Sequence, residues 1–487
     1  MMSRFKVLAG PLAAICIMVF FDLDPGNPMA TRMAAITVWM AIWWLTEAVH
    51  LAVTAFIPFV FIPLLGIADP KTVAFQYMDQ VIFLFIGGFI LSFAIEKWGL
   101  HERIALRILM TTGTKADRIL FGVMVTSFLI SMWISNTATV MMLLSAVFAI
   151  INMTDKQITD SGERNGLAKA LLIGLAYSAT IGGMATLVGT PPNMVFARAY
   201  QDAYPESGGM SFFKWFAIGF PIALMLLLVC YLVLRFSFIN RISNVDAVGS
   251  GYFSEAYKRL GPVTHEQKIV GSVFAITALL WFTRADLDLG IITLPGWSDL
   301  FQQADYIQDS TVAILMAMLL FVIPASSSKG GNLLAWKDVS KLPFDIILLF
   351  GSGFALAKGF ELSGLSQWIA AGLSVFSGAN MLLLIAGICL IVCIISEFAS
   401  NVASIQLVIP ILVAFQKDLG VDPLLLLVPA TLAASLGFMM PVATAPNTIV
   451  FGSNRISVSD MVRSGWWLNF AGILIVTILV WAFLTIS

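Results

Sequence analysis

Two tripeptides, Ser135-Asn136-Thr137 and Ser400-Asn401-Val402, stand inside long apolar stretches 265 positions apart. Asparagine brings one carbonyl acceptor and two amide donors, and serine and threonine add hydroxyls that both donate and accept. Such a set can coordinate a small hard cation through oxygen and can hold a carboxylate through N–H and O–H. At the same spacing, Phe85-Ile86-Gly87-Gly88-Phe89 matches Phe350-Gly351-Ser352-Gly353-Phe354, and Glu96 with Gly99-Leu100 matches Glu361 with Gly364-Leu365. A register kept from Phe85 to Thr137 marks an internal duplication. Ser131 and Ser396 each stand four residues before the tripeptide serine, one helical turn away, where they could close a cation shell.

A second pair reinforces the first. Gly189-Thr190-Pro191-Pro192-Asn193 corresponds to Ala443-Thr444-Ala445-Pro446-Asn447 at an offset of 254. Proline lacks the backbone donor and clashes with the preceding turn, so each apolar span should break there. A broken helix exposes carbonyls on one side, suited to a cation, and amides on the other, suited to an anion. Neither tripeptide carries a lysine or arginine, so a multiply charged anion held there would need compensation from cations travelling with it. A lone motif of this kind reads equally well as helix packing. Four of them, paired across two halves, favour a binding site.

Hydropathy supplies the elements that must position these groups. The chain of 487 residues is 59% hydrophobic and 11% charged, with mean hydropathy +0.93, whereas soluble domains carry about 25% charged residues. This is the composition of an all-α polytopic membrane protein. Eleven apolar runs of spanning length lie near 7–23, 31–48, 49–67, 80–98, 168–197, 213–238, 268–284, 308–325, 343–361, 421–451 and 464–486, and the first reads as a retained span. Two further stretches, 117–152 and 377–416, are too long for one span and hold the tripeptides near their middles. A re-entrant hairpin resolves each, with its polar tip buried in protein and not in lipid.

Basic residues cluster before the first run (Arg4, Lys6), after the fourth (Lys97, Arg103, Arg107, Lys115, Arg118) and around the fifth (Lys156, Arg164, Lys169). They recur between the sixth and seventh runs (Arg235, Arg241, Lys258, Arg259, Lys268) and between the eighth and ninth (Lys329, Lys337, Lys341), while segment 285–309 is acidic. The positive-inside rule then puts the N-terminus in the cytoplasm. The first hairpin enters from inside and the second from outside, so the halves are inverted repeats, the pattern of alternating access. The corresponding division is N-terminal scaffold helices over 1–67, a first repeat over 68–212, linking helices over 213–325, a second repeat over 326–463 and a terminal helix over 464–487.

Other classes fit poorly. A net charge of −1 leaves no broad basic face for nucleic acid. Cys16, Cys230, Cys389 and Cys393 all fall in apolar runs and read as core residues, not as a disulfide frame or metal site. No His-Glu-x-x-His, Gly-x-Ser-x-Gly or Gly-x-x-x-x-Gly-Lys pattern occurs, which argues against an enzyme. The remaining acids and histidines need separate readings. Glu397 is an intramembrane acid opposite Met132, with a structural and a coupling role both open; Glu47 beside His50 reads as structural; His101 and His265 fall in predicted cytoplasmic loops and should be solvated.

The paired tripeptides, the Pro-Pro-Asn and Ala-Pro-Asn breaks, Ser435-Leu436-Gly437-Phe438-Met439-Met440-Pro441 and Trp43-Trp44-Leu45-Thr46-Glu47-Ala48 with Thr54 and Pro58 resemble the divalent anion/sodium symporter family. The resemblance covers nearly the whole chain. It implies a homodimer in the cell's inner membrane, a scaffold that dimerises, and a transport domain that moves as an elevator. It also implies import of di- and tricarboxylates such as succinate, malate, fumarate and citrate, with co-transported sodium and no organic cofactor. Carried over by position, one sodium site would use Ser131, Ser135, Asn136 and the Gly189 carbonyl, and its mirror Ser396, Ala399, Asn401 and the Ala443 carbonyl. Substrate would meet Ser135, Asn136, Thr137, Thr190, Ser400, Asn401 and Thr444, with Val402 at the place where the first motif has a hydroxyl. A sodium-independent dicarboxylate exchanger and a sulfate/sodium symporter remain alternatives.

Overall fold

The computed structural model describes residues 2–157, 161–239, 251–288, 293–326, 331–373 and 378–486; Met1, Arg241, Lys329 and position 377 lie outside the described residues. The described chain is mostly helical. It opens with α1 (Met2–Phe20), α2 (Pro28–Thr46), α3 (Leu51–Thr54), α4 (Ile57–Leu64), α5 (Pro70–Phe75), α6 (Gln80–Lys97) and α7 (Leu100–Thr112). Next come a first hairpin, α8 (Ala116–Ser131) and α9 (Asn136–Gln157), and a first broken helix, α10 (Ser161–Met184) and α11 (Pro191–Ala203). The connecting elements are α12 (Phe212–Leu234), α13 (Tyr252–Arg259), α14 (His265–Phe282) and α15 (Asp309–Val322). Between α14 and α15 lies a two-residue antiparallel ribbon, Leu287–Asp288 with Thr293–Leu294. The second half has α16 (Phe344–Ser363) and α17 (Leu365–Leu373), a hairpin of α18 (Met381–Phe398) and α19 (Asn401–Leu419), and a broken pair, α20 (Leu424–Ala433) and α21 (Ala445–Phe451). The last helix is α22 (Val458–Ile486).

Both long apolar stretches fold as helix–turn–helix, with Ser135 and Ser400 in the turns. Both proline motifs interrupt a helix, the first from Ala185 to Thr190 and the second from Ala434 to Thr444. Seven described segments are long and apolar enough to cross a membrane, and two of them, Asn136–Asp155 and Met381–Phe398, are hairpin legs. The eleven apolar runs therefore do not map onto eleven continuous helices. Run 49–67 divides into α3 and α4, with Pro58 in the first turn of α4, and run 421–451 divides at the second break.

Packing separates two apolar clusters. A small one joins Met33, Met40 and Trp44 of α2 and Ile57 and Ile62 of α4 to Leu349, Leu356 and Phe360 of α16. The large one surrounds α10, which is enclosed over almost its whole length. Small residues permit this: a Cβ on Gly174 would meet Leu120 at 2.9 Å, and one on Gly182 would overlap the Phe128 carbonyl of α8. Close backbone approach of this kind is how helices associate where lipid removes the hydrophobic drive between them. By contrast α18 turns Leu383, Ile391 and Phe398 outward, as a lipid-facing surface requires. Val402 packs against both clusters, so the second tip sits at their seam.

Candidate functional site

The two hairpin tips share a serine–asparagine contact and a serine cap. At the first, the Ser131 hydroxyl donates to Asn136 Oδ1 at 2.8 Å, and Ser135 Oγ accepts from the Ala138 N–H at 3.3 Å. At the second, the Ser396 hydroxyl stands between two acceptors, Asn401 Oδ1 at 2.9 Å and the Ala434 carbonyl at 2.5 Å, and Ser400 Oγ accepts from the Ala403 N–H at 3.2 Å. Ser135 and Ser400 are thus N-caps of α9 and α19, satisfying an amide that the first helical turn would leave unpaired. Because each hydroxyl accepts in its cap, its own proton stays available to a ligand. The positive ends of two long helices lie at the same points.

The breaks repeat one another as closely. Asn193 Nδ2 donates to the Gly183 carbonyl at 3.0 Å and the Thr186 carbonyl at 2.7 Å. Asn447 Nδ2 donates to the Gly437 carbonyl at 3.1 Å and the Met440 carbonyl at 3.1 Å. Both asparagines are fully buried. One amide therefore staples each unwound segment shut by taking two carbonyls released from the helical ladder. Asn193 Oδ1 and Asn447 Oδ1 are buried with no hydrogen-bond partner, which leaves a bare acceptor oxygen beside each break. Such an atom suits a site that takes a cation. Thr190 and Thr444 precede α11 and α21 with extended backbone, but the caps differ: Thr444 Oγ1 accepts from the Asn447 N–H at 3.2 Å, and the Thr190 side chain makes no cap bond.

Glycines bring each tip against its own break. A Cβ on Gly183 would lie within the Asn136 amide, 3.0 Å from Nδ2 and closer to Oδ1. A Cβ on Gly189 would sit 2.6 Å from the Gly183 carbonyl oxygen. At the counterpart positions the fit is looser, since a Cβ on Gly437 would meet Ala443 Cβ at 3.0 Å and the Ser396 carbonyl at 3.2 Å. The halves then exchange partners: α11 packs on α19 of the second hairpin, and α21 packs on α9 of the first. Ser131, Ser135, Asn136 and Gly189 thus gather at one half-site, and Ser396, Ala399, Ser400, Asn401 and Ala443 at the other. Ala399 leaves the helix with φ −130° and ψ 163°, which takes its carbonyl off the ladder. Thr137 lies in the first turn of α9 and Val402 in that of α19, both half-buried.

One residue at the site, Thr186, carries no paired sequence signal. Thr186 donates through its hydroxyl to the Met132 carbonyl at the first tip, and the same oxygen accepts from the Gly189 N–H at 3.1 Å. Its counterpart at the offset of 254 is Met440, so repeat matching passes over it. Gly183 and Gly437 do match at that offset and could have been found. Away from the site, His101 is buried on α7 with Nδ1 3.4 Å from the Ile95 carbonyl. The expectation of a solvated loop histidine is therefore corrected: α7 is an amphipathic helix, and His101 lies on its inner face. His265 is exposed at the start of α14.

A cavity of about 590 Å³ opens among α11, α16, α17 and α19, lined by Arg198, Asp202, Lys358, Glu361, Lys417 and Gln406 among others. No tip or break residue lines it, but α11 and α19 run to it from the two half-sites.

Residues 3–486 match the family described as the sodium:sulfate symporter transmembrane region. A sodium-dependent dicarboxylate transporter, SdcS, of Staphylococcus saprophyticus is 36% identical over 479 residues, which is 98% of this chain and 90% of that protein. A protein of the same name from Staphylococcus aureus is 36% identical over 483 residues, with the same shares. Among solved structures, Neisseria gonorrhoeae MtrF, from a class described as antimetabolite efflux pumps, aligns with a TM-score of 0.55 at 15% identity over 84% of this chain and 82% of that one. The Alcanivorax borkumensis YdaH transporter aligns with a TM-score of 0.53 at 13% identity over 93% of this chain and 98% of that one. At such identities the likeness is one of fold.

Proposed function

The chain belongs to the sodium:sulfate symporter family, a family of sodium-coupled transporters, and on that premise we propose that it imports C4-dicarboxylates by sodium symport. The observation that carries this reading is the recurrence of one serine–asparagine tip and one asparagine-stapled break in each half. In the inverted arrangement, two equivalent oxygen sites would face a common substrate from opposite sides.

Sodium is held by neutral oxygens. At the first half-site these are Ser131, Ser135, Asn136 and the Gly189 carbonyl; at the second, Ser396, Ala399, Asn401 and the Ala443 carbonyl. A sodium ion at Asn136 or Asn401 replaces the serine proton that now occupies the amide oxygen, and this couples cation binding to tip geometry. The dianion then binds between the tips, taking the free protons of Ser135 and Ser400 and the side chains of Asn136, Asn401, Thr137, Thr190 and Thr444. Val402 presents apolar surface on the second side. Loading in this order brings the cations in before the dianion they neutralise, so the transport unit crosses without uncompensated charge.

The eleven-span architecture, the N-terminus in the cytoplasm, residence in the inner membrane and homodimerisation through the scaffold belong to the same proposal. Two separate apolar clusters with Val402 at their seam support a fixed scaffold and a moving transport unit, as an elevator requires. The charged cavity at the far ends of α11 and α19 is its outer vestibule. The test is uptake of radiolabelled succinate into proteoliposomes under an inward sodium gradient, with potassium as control and sulfate as competitor. Sodium-driven accumulation is the expected result. Uptake that ignores sodium and needs internal dicarboxylate would make the protein an exchanger, and displacement by sulfate alone would change the substrate class.

A further inference from the structure

The two half-sites are stapled alike but braced differently, and the difference centres on Glu397. Its carboxylate is buried and receives donors only. Oε1 accepts from the Phe438 and Met439 N–H groups at 2.9 Å each and from Asn469 Nδ2 at 2.5 Å, and Oε2 accepts from the Met439 N–H at 3.1 Å and the Met440 N–H at 2.9 Å. Both carboxyl oxygens are thus taken up by amide donors of one loop and one neighbouring helix. The same loop is gripped from its other side. Tyr177 of α10 donates to the Phe438 carbonyl, and Gly465 of α22 lets that carbonyl approach to 2.5 Å from where a Cβ would stand.

The cause lies in the length of the two breaks. The first unwinds only from Ala185 to Thr190, and its Ala185 N–H still reaches the Gly182 carbonyl. The second unwinds from Ala434 to Thr444 and strips the helical acceptors from three consecutive amides at 438–440. Buried amides left unpaired are costly. Glu397, one residue beyond Ser396, satisfies all three. Its counterpart Met132 has no acceptor in its side chain, and there the bracing bond runs the other way, from the Thr186 hydroxyl to the Met132 backbone.

We propose that Glu397 is the positioning residue of the second half-site: it holds the 437–440 loop, and through the Gly437 contact the Ser396–Asn401 tip, in the shape that binds sodium. The proposal rests on the sodium-coupled reading above. The Glu397 brace is what the second half-site has where the first has the Thr186 bridge.

The test compares E397Q, E397D and Y177F with the unsubstituted protein in proteoliposomes. Sodium activation of succinate uptake is measured beside succinate half-saturation at saturating sodium. Thermal shift of the detergent-purified proteins with sodium chloride against choline chloride gives a second readout without substrate. E397Q should raise half-activating sodium about tenfold, as when only a tenth of the molecules hold the competent loop, with a smaller change in succinate half-saturation. E397D should restore part of the sodium response, because it keeps both carboxyl acceptors and loses reach. Y177F should shift the response in the same direction by less. E397Q with a lowered melting temperature and an unchanged sodium half-activation would make the acid merely structural and overturn the proposal. If E397Q does not fold, unchanged sodium responses in both E397D and Y177F overturn it. Sodium-independent uptake by the unsubstituted protein instead removes the premise and leaves that failure distinguishable.

Discussion

A methyl group on Gly183 strikes the first half-site at its tightest contact. The new Cβ would stand 3.0 Å from Asn136 Nδ2 and closer still to Oδ1, where carbon and oxygen normally keep more than 3 Å or so apart. Asn136 cannot absorb the overlap by swinging its amide away, because Oδ1 holds the Ser131 hydroxyl at 2.8 Å. The tip must therefore retreat from the break, opening the set of oxygens proposed to hold sodium. Overpacking of this kind costs about 1–3 kcal/mol. Charged to the binding-competent state alone, that becomes a roughly 5- to 150-fold rise in half-activating sodium. The counterpart substitution Gly437→Ala meets only Ala443 Cβ at 3.0 Å and the Ser396 carbonyl at 3.2 Å, so its effect should be several-fold smaller. Both variants are assayed by sodium titration of succinate uptake, with the amount of folded protein checked by size-exclusion chromatography. Equal sodium responses in the two variants, or a stronger effect at Gly437, would refute the reasoning.

Thr186→Val removes a buried hydroxyl that bridges the Met132 carbonyl and the Gly189 N–H; the Gly189 N–H keeps the Thr186 carbonyl at 3.3 Å, so the loss falls on the Met132 carbonyl and should cost about 1–3 kcal/mol, read as a lower melting temperature and weakened uptake. Val402→Thr adds a hydroxyl where the first tip has one, and should alter succinate affinity or selectivity more than sodium dependence; unchanged kinetics would mark Val402 as a packing residue at the cluster seam. Asn193→Ala and Asn447→Ala each unstaple one break, and either should abolish sodium-driven uptake while leaving an assembled protein, as judged by size-exclusion chromatography. At Asp338, burial works to raise the carboxyl, but the Ala335 N–H and the Lys97 ammonium at 2.8 Å outweigh it and hold it below the ordinary carboxylate value. Its stabilising share is therefore present above the unfolded value near 3.8 and lost as pH falls through the depressed one. Asp338→Asn should shrink the loss of melting temperature on acidification below about pH 4, and an unaltered acid limb would show the pair to be inert.

Spacing alone made the hairpins, the breaks and their pairing legible. A serine, asparagine or proline inside one apolar run reads equally well as helix packing, but the recurrence of all of them at fixed offsets located the tips and the breaks. The tips fell where Ser135 and Ser400 predicted, because a capping serine before a helix is a local signal that needs no distant partner. What spacing could not convey is everything that one half does for the other, or that one repeat does without its twin. Thr186, Tyr177 and Asn469 act through bonds to residues far away in the chain, and their counterparts differ, so no offset reveals them. His101 looked like a loop residue because charged neighbours surround it, yet the packing of α7 turned it inward. The role of Glu397 depended on how far the second break unwinds, a length set by the competition between helix and loop within the packed core. Local pattern thus determined which polar groups the apolar runs carry and where the chain must bend, while tertiary packing alone decided which buried amides were left needing a partner, and so which acid had to supply one.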